Sequence, residues 1–126
     1  MTAFDGVLKG RLRRVIVRRA FKISAYTIED KIAEHPAVKE CVAVEVADPE
    51  EEHVPMVFVV LNDDCSKDRE TVKQSLIHKC QKEMKEYEVP KFIQFIDELP
   101  YTPNGKYDFR LLEKLGNDFV TQTIRA

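Results

Sequence analysis

Val15 and Val17 alternate with Arg14, Ile16 and Arg18, and Phe21 and Ile23 alternate with Lys22. A period of two predicts two short strands, joined near residues 18–20. The spacing then changes. Thr27-Ile28-Glu29-Asp30 sets a hydroxyl three residues before a carboxylate, with Ile28, Ile32 and Ala33 on one face, so a helix is expected to start at a capped Thr27. It is expected to stop near His35, because Pro36 disfavours helical backbone in the residue before it. His35 has no second ligand candidate beside it and reads as a helix-end residue, not a metal site.

Val42, Val44 and Val46 alternate with Ala43, Glu45 and Ala47, the mark of a strand with one apolar face. Residues 56–61 are apolar without interruption, as in a central strand buried on both faces, and the two strands are expected to pair as a hairpin. The acidic segment between them, residues 48–53, favours solvent. Asp68 can cap a helix over residues 69–87, in which Val72, Leu76, Cys80, Met84 and Tyr87 recur at helical spacing. Val89-Pro90 ends it, and Phe92, Ile93, Phe95 and Ile96 around Gln94 predict a further strand. Asp108 can cap a short last helix that Gly116 terminates, and the last ten residues carry little pattern. This order is that of an α+β fold: a small basic N-terminal hairpin, then a sheet packed with helices.

Composition narrows the class. With 126 residues and 44% hydrophobic content the chain should form one domain, residues 1–126, around a single core. Twenty Lys and Arg against 22 Asp and Glu leave a net charge of −2, so no global basicity points to nucleic acid or an anionic membrane. Locally the balance differs. Lys9, Arg11, Arg13, Arg14, Arg18, Arg19 and Lys22 come without an acid among them, which suits either a solvated edge that discourages sheet association or an anion-binding surface. Cys41, Cys65 and Cys80 fit neither a disulfide framework nor a paired metal motif, and a reducing cytoplasm is expected. Cys41 and Cys80 read as small core residues. No signal-peptide pattern or membrane-length apolar run is present.

Residues 99–108 carry the candidate chemistry. Pro100 and Pro103 fix φ at two positions and Asn104-Gly105 tolerates positive φ, so the stretch reads as a stiff turn with Lys106 at its tip. A lysine held this way can meet charge developing on a phosphate or carboxylate oxygen, and Gly105 lets a bulky ligand come close. Taken alone, the same residues describe an ordinary hairpin turn with a solvated lysine.

The ordered set of motifs resembles the C-terminal domain of the adenylate-forming enzymes, which include acyl-CoA and aryl-CoA synthetases, peptide-synthetase adenylation domains and luciferases. Gly10-Arg11 is similar to the family's hinge Gly-Arg, and Lys22-Ile23-Ser24 with Ile28-Glu29 to its first helix. His35-Pro36-Ala37-Val38 and residues 41–44 resemble its first core strand, followed by Asp48-Pro49. Residues 89–92 and 95–100 lead into Thr102-Pro103-Asn104-Gly105-Lys106, which resembles the catalytic-lysine loop.

The resemblance implies a mixed sheet and a lid that closes over a large N-terminal adenylate-forming domain, where ATP with magnesium and a small-molecule carboxylic acid bind. Lys106 is then the catalytic residue of acyl-adenylate formation, with Arg11 and Gly105 near the nucleotide and Arg13 as hinge in the segment 10–14. Rotation about the hinge would present a second face for thioester formation with CoA or a carrier-protein pantetheine. Arg18, Arg19, Ala20 and Lys22 are the positions this implies near that acceptor. Nothing is expected to bind tightly to this chain alone, and no nucleic acid or membrane is expected as partner. The sequence departs from the family at Arg13 and Arg14, where an acid or lysine and then a second acid are usual, at Ala20, usually glycine, and at Ala25 and Thr27, usually Pro and Glu. The chain is expected to be an excised domain, the product of a split gene, or a remnant, inactive by itself. The alternatives are a free-standing α+β ligand-binding or regulatory module, and a nucleic-acid binder using the basic hairpin.

Overall fold

The computed structural model describes residues 14–63 and 68–125, the last three by backbone alone. Strands β1 (Val15–Arg18) and β2 (Phe21–Ser24) pair antiparallel, with Arg18 opposite Phe21, so Arg19 and Ala20 form the connecting turn. Both turn residues have positive φ, 50° and 75°. Tight two-residue hairpin turns of this twist normally recruit Asn or Gly, so this one is strained.

Helix α1 runs Ala25–Ala33. It begins earlier than the Thr27 cap predicted from sequence: Ser24 is the N-cap residue and makes no side-chain cap hydrogen bond. Burial decides the start, because Ala25, Ile28 and Ile32 all face the core, and the Ala25 amide is taken up by Arg14 O at 2.9 Å. Local capping chemistry is worth only about 0.5–2 kcal/mol and yields to such packing.

The main sheet has three strands in the order β3 (Val38–Asp48), β4 (Glu52–Leu61), β5 (Phe92–Phe95). The pair β3 and β4 is the expected antiparallel hairpin, whereas β5 joins β4 in parallel, with Met56 opposite Phe92. A parallel neighbour needs a crossover, and helix α2 (Arg69–Glu83) lies in that connection. Asp68 caps α2 by accepting from the Thr71 amide at 2.7 Å. The helix is shorter than its apolar spacing predicts. Met84 is already extended and residues Glu86–Glu88 form a separate 3-10 turn, yet Met84 and Tyr87 still pack on the core.

Strand β4 explains its own continuous apolar run. Val57 and Val59 face Ile23, Ile28, Ile32, Val72, Leu76 and Cys80, while Val54, Met56, Phe58 and Val60 face Leu99, Leu112 and Val120. Each such fully buried side chain stabilises the fold by about 1.5–3 kcal/mol. The sheet is therefore a middle layer, with α1, α2 and the small hairpin on one side and helix α3 on the other.

Helix α3 extends over Phe109–Arg125, so the expectation that it is short and ends at Gly116 is wrong. Gly116 is buried, and a Cβ there would stand 2.7 Å from Val46 Cγ1 and 3.1 Å from Met56 Sδ. The glycine lets the helix approach the sheet; it does not stop it. Asp108 does cap this helix, accepting from the Leu111 amide at 3.1 Å.

Candidate functional site

The lysine turn is built on a two-tyrosine base. Tyr101 and Tyr107 form an antiparallel bridge, the Thr102 amide donates to Lys106 O at 2.7 Å, and the Gly105 amide donates back to Thr102 O at 2.9 Å. Gly105 adopts φ 83°, while Asn104 stays out of the positive region, so only one of the two predicted residues uses its freedom. A Cβ added to Gly105 would meet nothing within 4 Å. Its demand is therefore conformational, and the space around it is open. Lys106 is exposed and makes no ion pair among the described residues. The Lys106 amide reaches Thr102 Oγ1 at 3.4 Å, so the backbone beneath the ammonium is the part that is held.

Both base tyrosines donate to one carboxylate oxygen, Glu40 Oε1, each at 3.0 Å. Their rings stack at 5.3 Å, and Tyr107 meets Phe109 edge-on at 6.2 Å. Burial and the neighbouring Glu40 carboxylate hold the Tyr107 phenol well above its ordinary pKa, and the Glu40 hydrogen bond raises that of Tyr101. Glu40 was absent from the sequence-based candidates. It stands far from the tyrosines along the chain, and only the faint signal of two aromatics bracketing the turn hinted at a common anchor.

Arg11 and Arg13, the predicted nucleotide-side and hinge residues, lie outside the described residues, as do Lys9, Gly10 and Cys65. The next residue is firmly docked. Arg14 donates to both Glu29 oxygens, at 3.1 and 2.6 Å, and to Ala43 O at 2.9 Å, with its guanidinium 4.3 Å from the Phe109 ring centre. Burial works against the charge of Arg14, but Glu29 outweighs it and the guanidinium pKa is raised. The family-like Glu29 thus joins α1, β3 and the start of the described chain, a role that an acid at position 14 could not take with it.

The residues predicted near the thiol acceptor come out divided. Arg18 is engaged within the domain: it pairs with Glu51 and donates to the carbonyls of Tyr87 and Val89, leaving its side chain 11% exposed. Arg19 is exposed but also reaches Glu51, at 2.9 Å. Ala20 is the strained turn residue, and Lys22 is exposed with no ion pair among the described residues. The acidic segment predicted to face solvent instead turns partly inward. Lys91 Nζ reaches Asp48 at 2.9 Å, and Glu51 is nearly enclosed. Arg18 holds the Glu51 carboxyl below its ordinary pKa; for Asp48, burial pulls upward but Lys91 and the amides of Glu50 and Glu51 outweigh it. A cleft of about 380 Å³ beside this network is lined by Arg18 and Lys91 among others, but both cations are already matched by carboxylates.

The two described cysteines, Cys41 and Cys80, are inert by environment. Burial pushes the half-buried Cys41 thiol up to about 12 and the Cys80 thiol up to about 11, so neither is a nucleophile near neutral pH. Among the described residues no group of three His, Cys, Asp or Glu side chains could hold a metal ion, and no helix is long and apolar enough to cross a membrane.

Against known proteins, the AMP-binding enzyme C-terminal domain family matches residues 27–106, a segment whose last residue is Lys106. The peroxisomal trans-cinnamate:CoA ligase of Petunia hybrida is 32% identical over 117 residues, covering 91% of this chain and 20% of that protein. The mitochondrial acyl-coenzyme A synthetase ACSM3 of Mus musculus is 33% identical over 101 residues, covering 79% of this chain and 17% of that protein. Among solved structures, an acyl-CoA synthetase of Brucella canis superposes with a TM-score of 0.73 at 32% identity, over 84% of this chain and 19% of that one. The chain spans about a fifth of the length of these relatives.

Proposed function

This chain belongs to the AMP-binding enzyme C-terminal domain family, and from that membership we propose that it serves as the lid of an ATP-dependent acid-thiol ligase, with Lys106 as its catalytic contribution. The observation that carries the reading is an exposed ammonium, with no ion pair among the described residues, on a turn whose backbone is closed by two hydrogen bonds. Adenylation brings a carboxylate and a nucleotide phosphate together and then spreads charge over the phosphate oxygens. A cation delivered between them lowers that barrier, and delivering it from a held backbone avoids reorganisation during the reaction. Lys106 acts as charge and hydrogen-bond donor, and ATP with magnesium, the carboxylic acid and the N-terminal domain supply the rest.

Thioester formation with CoA or a carrier-protein pantetheine is the second half-reaction of this reading, with Arg13 as hinge. On the acceptor side Lys22 and the Ala20 turn are the better candidates, since Arg18 is already bound within the domain. The same ion pairs weaken the nucleic-acid alternative, because Arg14, Arg18 and Arg19 spend their charge on Glu29 and Glu51. Free thiols at Cys41 and Cys80 suit a reducing compartment such as the cytoplasm.

The test mixes the 126-residue chain with a separately expressed N-terminal adenylate-forming domain and follows carboxylate-dependent pyrophosphate release. The intact chain should restore turnover, and Lys106→Ala should lower it by about 10²–10³, the scale of losing one electrostatic contact to the transition state. No restoration, or equal restoration by Lys106→Ala, overturns the proposal.

A further inference from the structure

The lysine turn has two feet, and both stand on one carboxylate. Tyr101 and Tyr107 are the bridged pair at its base, and each donates its phenol proton to Glu40 Oε1 at 3.0 Å. Tyr107 directly follows Lys106. Tyr101 is 52% exposed, so burial alone gives its ring little reason to adopt one position. A charge-assisted hydrogen bond does, being roughly twice as strong as a neutral one.

Glu40 is aimed by the sheet. The register of β3 against β4 shifts between Val38 and Glu40, which marks a bulge. Because of it Val38 packs on the side of α1 and α2, whereas Glu40 keeps the parity of Val42 and Val44, which face α3. In a regular strand two residues two positions apart would both fall on one face. The bulge thus allows the strand to keep Val38 in one core and to send the carboxylate toward the turn on the other side.

We propose that Glu40 is a positioning residue for Lys106, clamping both feet of the turn to β3 so that the ammonium is carried in a fixed direction from the sheet. Its catalytic consequence rests on the lid reading above; the clamp itself does not. An ammonium on a flexible four-carbon stem, with no ion pair among the described residues, takes its placement from the backbone beneath it. Near a reacting centre, a misplacement of about 1 Å can cost on the order of 10²-fold in rate.

Amide hydrogen exchange on the intact chain tests the clamp, read at Thr102 and Gly105, whose amides close the turn. Glu40→Ala should speed exchange at both by about tenfold or more, the scale of one lost hydrogen bond to a charged acceptor. Exchange at Val57 and Val59 in β4 should not change. Glu40→Gln, which keeps an acceptor oxygen but not its charge, should recover part of the protection. Tyr101→Phe with Tyr107→Phe should reproduce the loss and add nothing to Glu40→Ala; this pair decides the question even where Glu40→Ala does not fold. Unchanged turn exchange, or a loss spread equally through β4, overturns the clamp. In the reconstituted assay Glu40→Ala should lower kcat and leave KM for the carboxylate unchanged, with partial recovery in Glu40→Gln. A loosened turn with full Lys106-dependent kcat also overturns the positioning role. If Lys106→Ala is itself as active as the parent, the ligase reading fails, while the exchange result still decides the clamp.

Discussion

Glu51 accepts two hydrogen bonds from the Arg18 guanidinium, at 2.8 Å from Nε and 3.0 Å from Nη2, and so ties the turn of the small hairpin to the turn between β3 and β4. Non-glycine residues at positive φ mark both: Arg19 and Ala20 within the first, and Glu52, the first residue of β4, at the exit of the second. Strained turns persist where their surroundings over-determine them, and this bidentate pair does so from both sides at once.

Arg18→Ala should therefore be costly. It takes two hydrogen bonds from the Glu51 carboxylate, which keeps only the exposed Arg19 at 2.9 Å and Lys91 at 3.8 Å, and it removes the side-chain donor from the Tyr87 and Val89 carbonyls. We expect a loss of about 1–3 kcal/mol, the range for leaving enclosed acceptors unsatisfied, because Glu51 retains two other cations. A urea unfolding midpoint equal to that of the parent would count against the pairing.

The same network predicts acid sensitivity. Glu51 and Asp48 both have folded-state pKa values below their unfolded ones. Carboxylates of that kind contribute stability that is fully present above the unfolded pKa of about 4 and is lost as pH falls through the folded values. Urea midpoints measured from pH 7 down to pH 3 should hold steady and then drop. Asp48→Asn with Glu51→Gln should start lower and fall less steeply.

Ala20 sits at φ 75°, where a side chain is disfavoured. Ala20→Gly removes that strain and gives back part of the gain through the looser unfolded chain. A net stabilisation of about 1 kcal/mol is expected in thermal unfolding, with the hairpin register unchanged. A lower Tm would show that the turn carries no such strain.

Gly116→Ala should do the reverse despite the better helix propensity of alanine. The new methyl would meet Val46 Cγ1 at 2.7 Å, and a β-branched residue on a central core face has little room to turn aside. Overpacking of this kind costs about 1–3 kcal/mol, more than the roughly 1 kcal/mol that propensity returns. A variant at least as stable as the parent would show that the helix can move off the sheet.

Gly105 and Gly116 show why one part of the chain was readable in advance and another was not. Gly105 is needed for a backbone conformation set by its immediate neighbours, so Pro103, Asn104 and Lys106 are enough to reveal the turn. Gly116 is needed because Val46 and Met56 come close from another element, and nothing adjacent to it records them. Even so, Leu112, Gly116, Phe119 and Val120 keep helical spacing through the glycine, a signal that should have outweighed its reputation as a helix end. Arg18 teaches the same lesson in charge: its run of basic neighbours is visible in the sequence, but the carboxylate that consumes it lies in another hairpin.

Alternation, helical spacing, caps and turn chemistry act between residues a few positions apart, so the linear chain already determined the α+β order of elements, the Asp68 and Asp108 caps and the tip that carries Lys106. The parallel placement of β5, the full length of α3, the commitment of Arg14 and Arg18, and the Glu40 anchor under both tyrosines were decided only by tertiary structure. Those features depend on which distant side chain arrives at hydrogen-bond or van der Waals distance, and such distances exist only once both faces of the sheet have been covered.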